Sequence, residues 1–112
     1  MDFILNNISW SIIELENKRF LELRKELGEE QNCPVEPNSF VYGFCDYASH
    51  RIFLNSYQCI SEKKRTLIHE LVHCWLWSHG ASYTSYCEDA LCDTVSSSHE
   101  FIHEIVSKYF NK

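Results

Sequence analysis

Residues 69–73 read His69-Glu70-Leu71-Val72-His73, the pattern H-E-x-x-H. On a helix, two histidines four positions apart lie about 40° apart around the axis, so both imidazoles can grip one metal ion from the same side. The glutamate between them reaches the open side of that ion and is placed to act as a general base. The chemistry this predicts is metal-assisted hydrolysis, with Zn2+ as cofactor, His69 and His73 as ligands and Glu70 as proton acceptor.

Catalytic zinc takes three protein ligands and a water, so a third ligand is expected downstream. His79 stands ten residues after His69, the spacing of the last histidine in H-E-x-x-H-x-x-G-x-x-H, but Leu76 occupies the position where that pattern needs a chain-turning glycine. On an unbroken helix His79 would lie ~15 Å from His69 along the axis, which disfavours it. Glu88 and Asp89 open the next helical segment. Glu88 is in register with Leu91 and Val95 at the edge of the apolar face, whereas Asp89 points ~100° further toward solvent. Glu88 is therefore the favoured ligand and Asp89 the alternative; the bland reading of both is a carboxylate that suits a helix N-terminus. A second match, His99-Glu100-Phe101-Ile102-His103, has no Asp or His after it. It reads as an exposed helix edge.

The elements that must position these residues follow from periodicity and turn chemistry. Trp10–Leu15 reads as a strand. Asn17 can cap a helix carrying Phe20, Leu21, Leu23 and Leu27, closed by Gly28. Gln31–Asn38, with both prolines, is a loop. Ser39–Tyr47 and Arg51–Asn55 form an antiparallel hairpin joined through Ala48-Ser49-His50. Ser61 is the expected N-cap of the metal helix, with Glu62 in its first turn. That helix runs through Leu67, Ile68, Leu71, Val72, Trp75 and Leu76 to a stop at Gly80. Its second half is apolar nearly all round and is expected to be buried. Buried histidines and a glutamate need partners, and a metal supplies one. The last helix, Tyr86–Phe110, presents Ala90, Leu91, Val95, Phe101, Ile102, Ile105, Val106 and Tyr109 on one face. A bend is expected near Ser96-Ser97-Ser98, where Ser97 and Glu100 could form a capping box. The fold class is α+β, with helices on one face of a small, mostly antiparallel sheet.

At 112 residues the chain reads as a single domain, 1–112. The net charge of −6 argues against a nucleic-acid partner. The short cluster Lys63-Lys64-Arg65 is expected only to solvate a helix start. No secretory signal is recognised at the N-terminus, and no apolar run approaches the ~20 residues needed to span a bilayer. A cytoplasmic protein without membrane association is expected. The six cysteines, at 33, 45, 59, 74, 87 and 92, are then expected to be free thiols; Cys74 and Cys92 read as small core residues. Trp10, Trp75 and Trp77 read as core or interface.

Residues 41–95 resemble the ImmA/IrrE-type metallopeptidases, in particular small versions found in phage and Gram-positive bacterial genomes. The likeness rests on Tyr42-Gly43-Phe44-Cys45-Asp46-Tyr47, on Arg51-Ile52-Phe53-Leu54-Asn55, on Arg65-Thr66-Leu67-Ile68-His69-Glu70-Leu71-Val72-His73-Cys74, and on Glu88-Asp89-Ala90-Leu91-Cys92-Asp93. It implies a compact gluzincin-like fold, with a sheet beside the metal helix and the third ligand on the following helix. In larger members that helix reads E-x-x-A-N-x-F-A. Glu88 matches its glutamate, while Cys92 stands for Asn and Thr94 for Phe; Asp93 is the candidate substitute for the missing partner that would orient a ligating histidine. Characterised relatives cut transcriptional repressors and carry additional domains, so a repressor substrate is not carried over.

The expected activity is hydrolysis of peptide bonds in a protein or peptide substrate by zinc-activated water, with Glu70 passing the proton to the leaving amine. Tyr83, Tyr86 and His99 are the candidates for stabilising the oxyanion. The alternatives are a non-catalytic zinc-dependent binding or regulatory protein on a peptidase scaffold, and a purely structural zinc domain.

Overall fold

Two asparagines start the sheet. In the computed structural model, which describes residues 1–30, 42–79 and 88–111 without the side chains of 28–30, 88–93, 96 and 97, Asn6 and Asn7 have φ of 51° and 66°. A two-residue type I′ turn requires this left-handed pair, and asparagine tolerates it. The turn joins β1 (Asp2–Leu5) to β2 (Ile8–Leu15) in antiparallel register, with Phe3 opposite Trp10 and Leu5 opposite Ile8. Sequence patterning had not revealed β1, and β2 begins two residues before Trp10.

Helix α1 (Asn17–Glu30) follows β2 and runs past Gly28, its expected end. Asn17 is its first residue, and its Oδ1 accepts from Asn55 Nδ2 at 2.7 Å. The expected hairpin is present as β3 (Gly43–Asp46) and β4 (Arg51–Asn55), with Phe44 opposite Phe53 and Cys45 opposite Ile52. The strand order is β1-β2-β4-β3. β4 pairs with β2 in parallel, Ile12 opposite Ile52, so the sheet is mixed: one parallel pairing between two antiparallel ones. Parallel neighbours need a long crossover, which the chain from Leu15 to β3, including α1, provides.

The helices do not share one face. Side chains alternate along a strand, so Phe44 and Phe53 face away from Cys45, Ile52 and Leu54. On the Phe44 side Phe20 of α1 closes an aromatic cluster, its ring 5.3 Å from Phe44, which lies 5.0 Å from Phe53. The other face carries the main core: Phe3, Leu5, Trp10, Ile12, Ile52 and Leu54 meet Leu67, Leu71 and Cys74 of α2 (Ile60–Ser78) and Ile102, Ile105 and Tyr109 of α3 (Glu88–Phe110).

Several local expectations change. Helix α2 is capped by Cys59, without a side-chain cap bond, and Ser61 lies inside it. Lys63 does more than solvate the helix start: its Nζ is 2.6 Å from Glu14 Oε1, and the Tyr109 hydroxyl donates to the other oxygen of the same carboxylate. Helix α3 continues through Ser96–Ser98; Ser98 Oγ donates back to the Thr94 carbonyl at 2.6 Å, an in-helix bond rather than a capping box. The burial of α2 is one-sided, with Ile68 43% and Trp77 37% exposed, and Val95 on α3 is 61% exposed. Gly80 and the loop at 31–38 lie outside the described residues. None of the described helices is long and apolar enough to cross a membrane.

Gly43 sets how closely α2 approaches the sheet. A Cβ there would lie 2.5 Å from Thr66 Cγ2 and 3.1 Å from the Phe53 carbonyl oxygen. Thr66 cannot rotate away freely, because its Oγ1 donates to the Glu62 carbonyl at 2.9 Å and to Gln58 Oε1 at 3.1 Å. Gly43→Ala is therefore expected to lower unfolding stability by about 1–3 kcal/mol. Adding Thr66→Ser, which removes the opposing methyl and keeps the hydroxyl, should restore most of the loss in urea titrations; strictly additive losses would refute this contact as the cause.

Candidate metal centre

The sheet-facing stripe of α2 is Leu67, Glu70, Leu71 and Cys74, at the i, i+3, i+4, i+7 spacing of one helix face. His69 and His73 sit at the flank of that stripe, one turn apart. His69 is exposed and His73 half-buried. Their Nε2 atoms are 3.0 Å apart, with ring planes inclined at 77°. Two imidazole nitrogens on a tetrahedral zinc, each at ~2.05 Å, would be separated by roughly 3.3 Å. The pair is thus within a few tenths of an ångström of a chelating bite, which fits two of the three protein ligands such an ion takes. Burial, and then the neighbouring His69, hold the His73 imidazole below its ordinary value, which keeps it in the neutral form a metal needs.

Glu70 lies in the seam between α2 and β3 and lines one cleft with His69 and His73. It is 4% exposed, and desolvation alone pushes its carboxyl up to about 7. A carboxyl near 7 is matched to proton transfer at neutral pH. The cleft in front of it, about 170 Å³, is walled by Cys45 and Tyr47 opposite His69 and His73. The Tyr47 ring is held against Trp77, with centroids 5.6 Å apart and planes within 16°. On the far side of Gly43 a second depression of about 270 Å³ runs past Tyr42 and Arg65 and shares Gly43, His69 and Glu70 with the first. The two form a groove along β3, which is the last strand of the described sheet.

The other site expectations separate clearly. His79 caps α2, its Nδ1 2.8 Å from the Trp75 carbonyl and its ring stacked on Trp75 at 4.5 Å. The helix is unbroken from His69 to Ser78, so His79 does not converge with the pair. Glu88 and Asp89 stand in the first turn of α3, and their side chains lie outside the described residues, as do Tyr83 and Tyr86. Among the described residues, no group of three or more His, Cys, Asp or Glu side chains is gathered to hold a metal. His99 and His103 are exposed and border a different groove, floored by Val72, Ile102 and Val106 between α2 and α3; His99 is not brought to the cleft beside Glu70.

Sequence reasoning assigned no role to Gly43, Cys45 or Tyr47. All three fall in the segment that carried the family resemblance, but their place at the cleft depends on how β3 registers on β4. Cys45 faces α2, its Sγ 3.3 Å from Cys74 Sγ. That hydrogen bond, and then burial, raise its thiol above the ordinary value. Comparison with protein-family models, with curated proteins and with solved structures finds no match for this chain.

The buried Glu70 makes a prediction for the metal-stripped protein. A carboxyl raised in the folded state binds its proton more tightly there than in the unfolded chain. Its contribution to stability is full below about pH 4.5 and is lost as pH rises through about 7. Glu70→Gln removes that slope. In chelator, the stability of Glu70→Gln relative to wild type should therefore increase between pH 5 and pH 8, by up to about 3 kcal/mol. Parallel pH–stability curves for the two proteins would contradict the burial assigned to this carboxylate.

Proposed function

We propose that this protein is a zinc-dependent metallopeptidase of the zincin type, related to the ImmA/IrrE-type enzymes it resembles. The observation that carries the reading is the convergence of the His69 and His73 Nε2 atoms, 3.0 Å apart, beside a buried Glu70 in a groove along an edge strand. His69 and His73 would hold the ion, with the Glu88 carboxylate completing the set and Asp89 its alternative. When bound, the metal lowers the pKa of water and polarises a carbonyl.

Glu70 supplies the proton transfers. Its carboxylate accepts the proton of the attacking water and then delivers it to the nitrogen of the leaving amine. β3 offers backbone N–H and C=O groups to an extended peptide, which would pair with it as an added strand. The narrow approach at Gly43 keeps that strand within reach of Glu70. Tyr47 forms an aromatic wall on one side, and Arg65 offers a cation on the other. The three described cysteines, Cys45, Cys59 and Cys74, are free thiols, which supports action in the cytoplasm.

Glu70→Gln should bind zinc as wild type does, by elemental analysis, and lose peptide cleavage by a factor of ~10²–10⁴ in a proteome-derived peptide library. Undiminished cleavage by that variant would remove Glu70 from the mechanism. Zinc without any cleavage by wild type would favour a non-catalytic zinc-dependent binding protein. Replacing His73 by Ala should abolish stoichiometric zinc. Glu88→Ala should weaken zinc affinity by more than the ~10–100-fold typical of an outer hydrogen-bond partner, and Asp89→Ala by less. The opposite ranking would transfer the third ligand to Asp89.

A further inference from the structure

Two thiols from different elements meet at the wall of the Glu70 cleft. Cys45 comes from β3 and Cys74 from α2, 29 positions apart in sequence, and their sulfurs are 3.3 Å apart. The contact is built by the fold. Cys45 is opposite Ile52 in the β3–β4 register, which turns it toward the core face, and Cys74 lies on the buried stripe of α2. Closing to the ~2.05 Å of a disulfide needs a movement of roughly 1.3 Å. Only Cys45 is reachable from solvent, because it lines the cleft while Cys74 is fully buried. Cys59, by contrast, is exposed and has Ser61 Oγ as its described sulfur contact, at 3.3 Å.

We infer that Cys45 and Cys74 are a redox pair that hydroperoxides convert to a disulfide joining β3 to α2 beside the Glu70 cleft. The Cys45 sulfur attacks one oxygen of hydrogen peroxide. The O–O bond breaks, and the departing hydroxide leaves as water with the thiol proton, giving a sulfenic acid on Cys45. The Cys74 sulfur then attacks that sulfur, the S–S bond forms, and the sulfenic oxygen leaves as a second water. Two thiols lose two electrons and two protons, and one peroxide takes them up. The first step runs through the small thiolate fraction of Cys45 and is slow, and the contact between the two sulfurs then lets Cys74 capture the sulfenic acid. The disulfide ties β3 to α2 beside the groove, whether or not the groove belongs to a peptidase.

The test is cysteine mapping of the full chain. The folded protein is incubated with hydrogen peroxide, alkylated under denaturing conditions and cut after aromatic and after basic residues, which separates Cys45 from Cys33 and Cys59, and Cys74 from Cys59, Cys87 and Cys92. The expected product is a Cys45–Cys74 peptide pair about 2 Da lighter than the two thiol peptides together, in majority yield and released by dithiothreitol. Cys45→Ser should leave Cys74 recovered as its alkylated thiol. If wild-type Cys45 and Cys74 both remain alkylated while Cys59 is oxidised, or if either joins a third cysteine in preference, the inference is overturned. The wild-type map decides even where the variant folds poorly.

Discussion

Helix α2 reaches the sheet because position 43 carries no side chain. Gly43 lets the Thr66 methyl settle into the space a Cβ would fill, and the stripe Leu67, Leu71 and Cys74 then closes over Ile12, Ile52 and Leu54. That seating excludes water from the seam, and exclusion of water changes Glu70. A carboxylate at the same sequence position on a helix held further away would be hydrated and ordinary. The apolar contacts along α2 offset the cost of burying an acid among them. The arrangement is stable while Glu70 carries its proton and less so once the proton is gone.

A second constraint holds the helices near the N-terminal end of α2. Glu14, at the end of β2, binds Lys63 of α2 with one oxygen and the Tyr109 hydroxyl of α3 with the other. Burial, and then the Glu14 carboxylate, keep that hydroxyl protonated well above its ordinary range. One carboxylate therefore joins three elements. Asn6, at the opposite end of the sheet, donates to the Ser78 carbonyl at the last turn of α2 at 3.0 Å. Helix α2 is thus fixed near both termini, and its middle, where His69 and His73 lie, is held between two anchors.

What the sequence disclosed follows the range of the interactions involved. The helical setting of His69, Glu70 and His73 and the spans of α2 and α3 depend on one helix and its period, and they are legible. The β3–β4 hairpin is legible for the same reason. β1 escaped notice because Asn6-Asn7 is a weaker turn signal than a glycine-containing pair, and four residues give little alternation to read. The parallel pairing of β2 with β4 was invisible, since it joins Ser11 to Arg51 across α1. α1 was assigned to the wrong face because Phe44 and Phe53 are apolar neighbours of an apolar strand, so both sides of the sheet look alike in sequence. Cys45, Gly43 and Tyr47 reach the cleft only through strand register, which no local pattern encodes.

The edge position of β3 separates two properties that share one groove. The bite of His69 and His73 needs a single helical turn, and any state that keeps that turn keeps the bite. The environment of Glu70 needs β3 in place, and β3 is held laterally by β4 alone among the described strands. Partial opening of an edge strand is a low-energy fluctuation compared with global unfolding. Each such opening would admit water and return the Glu70 carboxyl toward ordinary acidity, with the histidine spacing unchanged. The spacing of the two histidines is written in a pentapeptide, whereas the raised carboxyl of Glu70 belongs to the tertiary structure and depends on one strand.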